Sequence, residues 1–115
     1  MIQGFNDIFA YVYQYTSDRV GAVAGNMLRK FYQDVKEAHA LVYADVDLLT
    51  NGRLSPTRLQ QNLEEVDVPE EEALMMFDEA LNEYLNVCIL AVKKVLGAEH
   101  EAVVVAKISE MFESA

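Results

Sequence analysis

The chain has one cysteine, no tryptophan, two prolines and five glycines in 115 residues. A lone cysteine, Cys88, excludes an intramolecular disulfide, so no oxidised framework holds this fold. Two prolines and five glycines are too few for a sandwich or barrel, which needs turn residues about every 8–12 positions. Bases are scarce as well: nine Lys and Arg stand against nineteen Asp and Glu, for a formal net charge of −10. The imbalance is local. Residues 1–63 hold six acids and six bases, whereas residues 64–115 hold thirteen acids and three bases. An acidic half repels phosphate backbones and anionic lipid, so neither nucleic acid nor a membrane surface is an expected partner, while a protein with a basic surface would be attracted. The same acids also serve simply to solvate an exposed face. The longest apolar run, Val87 to Val92, is far short of the roughly 20 residues that span a bilayer. No charged–apolar–small leader opens the sequence, and the expected location is the cytoplasm.

What is present is apolar and periodic. Hydrophobic residues make up 52% of the chain, enough for one self-standing core, and the length suits a single domain spanning residues 1–115. Phe5, Ile8, Phe9 and Val12 share one helical face, which Tyr11, Tyr13 and Tyr15 widen to an arc of about 200°, broader than an ordinary surface helix needs. Thr16 and Ser17 before Asp18 read as the cap of a second helix, carrying Val20, Ala24, Met27, Phe31, Val35 and Ala38 on one side. A flanking strip of Gly21, Gly25, Leu28, Tyr32 and His39 places two glycines four apart, which suggests close approach by another helix because helical glycine costs about 1 kcal/mol against alanine. The end of this helix falls somewhere between His39 and Leu49.

Thr50-Asn51-Gly52-Arg53 is a turn signal, and Ser55-Pro56 opens a short helix through Leu59 and Leu63. Asp67-Val68-Pro69, with Glu70, Glu71 and Glu72 behind it, opens the strongest helix of all. Leu74, Phe77, Leu81, Tyr84, Cys88, Ala91 and Val95 alternate by three and four along it, Lys93 and Lys94 trail, and Gly97 stops it. About 28 residues give a rod of roughly 42 Å. The last segment, Glu99 to Glu113, sets Val104, Ile108, Met111 and Phe112 on one face; Val103, Val104 and Val105 lower its helicity, but a lone strand would have no partner. The expected fold is all-α, a four- or five-helix bundle built around residues 69–96.

Chemistry is harder to find. Asp47, Asn51, Gly52 and Leu54 fall on the first, fifth, sixth and eighth positions of an EF-hand loop, yet Leu49 stands at the third and Arg58 at the twelfth, where calcium needs a bidentate carboxylate. No Glu-x-x-His pair of a di-iron bundle exists: Lys36 precedes His39 and Gly97 precedes His100 at that spacing. Glu79 and Glu83 lie one turn apart on a polar face. Cys88 sits centrally on an apolar face, the wrong setting for a thiolate, and His100 lies in a turn between Glu99 and Glu101, which would favour its charged form. The expectation is no enzyme, no cofactor and no metal.

A surplus of apolar surface remains. Phe5, Phe9, Tyr11, Tyr13 and Tyr15 overfill the first helix, Gly21 and Gly25 mark a packing strip, and Met75, Met76 and Leu90 lie off the main face of the long one. Exposed apolar patches of any size mark interfaces, and methionine adapts to varied partners. These ten residues are the candidate interface, and self-association, as a homodimer, is the expected use. The phrases Leu54-Ser55-Pro56-Thr57-Arg58-Leu59, Ala80-Leu81-Asn82-Glu83-Tyr84-Leu85 and Val92-Lys93-Lys94-Val95-Leu96-Gly97 resemble small helical modules of prokaryotic signal-transduction systems. That resemblance implies regulated protein–protein contact without catalysis. A small-molecule sensor with its pocket between the long helix and the glycine-bearing one is the alternative.

Overall fold

The longest helix dictates the shape. A computed structural model describes residues 1–114, and in it α5 runs unbroken over Glu70–Leu96. Twenty-seven residues at about 1.5 Å each span about 41 Å, and the longest axis of the molecule is 41 Å. Pro69 fixes its entry, three glutamates occupy its first turn, Lys93 and Lys94 its last, and Gly97 ends it with φ 99°. The charges follow the macrodipole at both ends. Ala73, Phe77, Ala80, Leu81, Tyr84, Leu85, Cys88, Ala91 and Val92 form its buried side. Leu74 and Val95, expected on that side, are partly exposed near its two ends.

The other helices surround it: α1 (Ile2–Val20), α2 (Val23–Ala38), the single turn α3 (Ala40–Tyr43), α4 (Pro56–Glu65) and α6 (Ala98–Glu113). Each of them touches α5. The protein is thus an all-α globule of six helices, five of them longer than one turn. Gly97 alone joins α5 to α6, which folds back until Met111 and Phe112 lie beside Asp78. The three consecutive valines are helical there, with Val104 buried. The core fills with rings meeting edge to face: Phe9 on Tyr84 at 4.9 Å, Tyr84 on Tyr32 at 5.4 Å, and Tyr32 on Tyr43 at 5.4 Å.

Three local expectations are corrected. The first helix does not stop at Thr16-Ser17. Thr16 is buried, and its hydroxyl donates to the Val12 carbonyl at 2.8 Å, so it satisfies itself inside the helix rather than capping a new one. The break comes at Gly21, whose φ of 69° only glycine adopts freely. Gly21 is therefore a hinge between α1 and α2, not a helix-packing contact, and a methyl on Gly25 would meet the Tyr13 ring at an ordinary 3.7 Å. His100 lies in the first turn of α6 rather than in a loop.

The stretch after α2, left open by periodicity, is a core-covering segment. Val42, Tyr43, Val46 and Leu54 are all fully buried. The chain doubles back with Leu48 bridged to Leu54, the Leu49 amide donating to the Arg53 carbonyl and the Ser55 amide to that of Asp47. Backbone without helix must find partners when buried, and here side chains supply them. Asn6 of α1 both donates to the Leu54 carbonyl, at 2.8 Å, and accepts from its amide, at 2.9 Å. Tyr32 of α2 donates to Val46; Asn62 of α4 donates to Val42 and Ala44. Gly52 closes against α1 so tightly that a methyl there would lie 2.4 Å from Tyr13 Cβ.

Candidate functional site

Reactive side chains are scattered by this packing. The Cys88 thiol lies within the core and hydrogen-bonds with Tyr84; burial pushes it up to about 12, against a smaller lowering from that bond. A thiol held neutral is a small apolar group rather than a nucleophile. His39, at the C-terminal cap of α2, pairs through Nε2 with Glu83 of α5. His100 meets the Tyr15 hydroxyl through Nδ1 at 2.8 Å. Neither histidine has the cysteine as its hydrogen-bond partner. Among the described residues no three of His, Cys, Asp and Glu come together as a metal-binding group.

The EF-hand-like spacing folds as a tight turn. Asn51 accepts from the Arg53 amide through its own side chain, an Asx turn of the ordinary kind. Arg58, at the position calcium would need as a carboxylate, donates to the Ala44 carbonyl. Burial is also the first cause holding the Tyr32, Tyr43 and Tyr84 phenols well above their ordinary value, with neighbouring Asp47, Tyr32 or Cys88 adding to it. Every buried side-chain nitrogen and oxygen among the described residues has a partner.

The ten candidate interface residues divide sharply. Phe5 and Phe9 are core residues, 5% and 2% exposed. Tyr11, Tyr13 and Tyr15 are half-buried and pack against the core, with the Arg19 guanidinium 3.5 Å above the Tyr15 ring. Gly21 and Gly25 serve the α1–α2 junction. The wide arc of α1 is thus consumed inside the molecule. On α5 the outcome differs: Met75 is 72% exposed and Leu90 45%, while Met76 is half-buried.

Met75 and Met76 do not stand alone. Leu41 of α3, which no periodic pattern had singled out, is 67% exposed. It lines a shallow recess of about 270 Å³ together with Ala38, Ala40 and Met76. A second recess, about 570 Å³, is walled by Met75 and Met76. Met76 borders both and so links the two recesses across α3 and the first half of α5. Their rim is acidic: Glu37 borders the first recess, and Glu72, Asp78 and Glu79 the second, with no lysine or arginine in either wall. Leu41 escaped notice in the sequence because it belongs to a one-turn helix too short to show a period.

Between α2 and α5, where the alternative sensor reading places a pocket, the rings of Tyr32 and Tyr84 meet edge to face at 5.4 Å. No helix among the described residues is long and apolar enough to cross a membrane. Compared with models of protein families, with curated proteins and with solved structures, the chain matches none of them.

Proposed function

We propose that the protein is a non-catalytic protein–protein interaction module whose docking surface is the face formed by Leu41, Met75 and Met76. The carrying observation is the exposure of Leu41 and Met75, each at one of two recesses that both border Met76. Water-facing apolar side chains that adjoin in this way gain by burial at about 25 cal/mol per Å². Methionine supplies a surface able to repack against a partner. The reading agrees with the regulated contact that the signal-transduction resemblance implies. Catalysis draws no support from a neutral buried thiol and two separated histidines.

A photoreactive residue in place of Met75, introduced into the full chain in cells of its native host, tests this. The expected result is a discrete higher-mass adduct with another protein, absent when the same group replaces Asp18, an exposed residue on α1. Loss of the adduct, or the same adducts from both positions, would refute the docking role.

A further inference from the structure

The acidic rim narrows the class of partner. We propose that the face across α3 and α5 receives a basic amphipathic helix of another protein, its apolar side seated on Leu41 and Met75 and its lysines or arginines opposite Glu37, Glu72, Asp78 and Glu79. This inference rests on the docking role proposed above and adds the chemistry of the occupant.

Three observations select it. The first is charge. Four carboxylates border the two recesses; the first is also lined by His39, which is paired with Glu83, and no lysine or arginine lines either, within a chain of formal charge −10. Complementary charge steers encounter and rejects like-charged surfaces. The second is what a second copy would bring. A homodimer symmetric about this face would set the same four carboxylates against one another, as a two-fold interface repeats one patch on both sides. Self-association at this face is therefore opposed by the very residues that would favour a cationic partner.

The third is backbone accounting. Glu37, Glu72, Met75, Met76, Asp78 and Glu79 lie on helices, and Leu41 on the turn α3, so the face presents helical backbone and no strand edge. The only extended pairing among the described residues is the isolated Leu48–Leu54 bridge. An extended peptide would find no sheet edge to join on this face, and its own amides would lose water without return. A helix brings its backbone already satisfied. Apolar anchors at i, i+3, i+4 and i+7 then match a face of this kind, with cations on the flanks.

The test uses the full chain, isotope-labelled, and two synthetic helix-forming peptides. Both carry leucines at i, i+3, i+4 and i+7; one has lysines at the flanking positions and the other glutamates. The expected result is saturable binding of the lysine peptide alone, with resonance shifts centred on Leu41, Met75 and Met76. The double variant Leu41→Ser/Met75→Ser should weaken that binding by about tenfold or more, as expected when central anchors are truncated. Both residues are exposed and the substitution leaves the charge unchanged, so simple attraction between opposite charges would survive it. Undiminished binding by the double variant overturns the inference, since the peptide is then held by bulk charge alone. Equal binding of the glutamate peptide overturns the basic partner while leaving a docking face. If neither peptide binds yet the Met75 adduct forms in cells, the docking role stands and the partner chemistry proposed here is refuted.

Discussion

Raising the pH should unfold this protein over a narrow alkaline window, because four weak acids are kept neutral in its core. Tyr32, Tyr43 and Tyr84 are displaced well above an ordinary phenol, and Cys88 rises from near 9 to about 12. Burial is the first cause in all four. A group whose folded pKa exceeds its unfolded one contributes stability that is complete below the unfolded value and lost as pH climbs towards the folded value. The window therefore opens near pH 9, where the unfolded thiol ionises, and steepens above about pH 10 as three unfolded phenols follow. Each group that ionises only in the unfolded chain lowers stability by about 1.4 kcal/mol per pH unit. At pH 11 the thiol accounts for roughly 3 kcal/mol and the three phenols together for roughly 4, a loss of about 7 kcal/mol. Domains of this size have about 5–15 kcal/mol to lose, so the midpoint should fall close to pH 11. Phenolate absorbance and helical circular dichroism, followed on the same samples, provide the assay. The phenolate signal of these three rings should appear only as helix is lost, and Tyr84→Phe should make the decline shallower by about 1.4 kcal/mol per pH unit. Full ionisation of all six tyrosines with the helical signal intact would refute the buried-ring core.

Two further perturbations probe the segment between α3 and α4. Gly52→Ala meets both a φ of 85° and a contact 2.4 Å from Tyr13 Cβ on a rigid helix, and should cost about 2–4 kcal/mol in urea unfolding; a change below about 1 kcal/mol would mean that the segment is not clamped to α1. Asn6→Leu leaves the buried amide and carbonyl of Leu54 without their partner and should cost about 2–4 kcal/mol; a neutral result would show that Leu54 finds water or another partner.

The sequence announces some elements far better than others, for physical reasons. The helix α5 is legible because proline, first-turn acids, apolar spacing, last-turn lysines and glycine all agree. The boundary between α1 and α2 misleads because Thr16 and Ser17 resemble a cap, whereas a threonine hydroxyl can bond back to the carbonyl four residues earlier. The glycine rule that places the end of α5 at Gly97 also marks Gly21, and that signal was the one to weigh. Asn6 lies one helical turn from both Ile2 and Phe9, at the edge of the apolar face, so its burial as a backbone partner could have been suspected. Its bond to Leu54, 48 residues away, could not. The pairing of His39 with Glu83 likewise depends on how α2 lies across α5. Two of the three apolar residues of the candidate docking face, Met75 and Met76, were visible; Leu41 became part of it only through the fold.

The segment carrying Leu41 has little helix of its own, yet side chains from three helices hold the chain that follows it. Asn62 bonds to the carbonyls of Val42 and Ala44, Arg58 to that of Ala44, Tyr32 to that of Val46, and Asn6 to Leu54. Tyr43 anchors α3 itself by donating to the Ala80 carbonyl of α5 at 2.7 Å, and Gly52 seats the far end of the segment on Tyr13. Two of the buried polar side chains, Asn6 and Asn62, are thus engaged in holding this segment. Leu41 is consequently held at the recess that Met76 also lines. Ordering a loop on binding typically consumes part of the interaction energy; here the core has already met that cost in folding. The hydrogen bonds that tie this segment to α1, α2, α4 and α5 would therefore hold the proposed docking face in place before a partner binds.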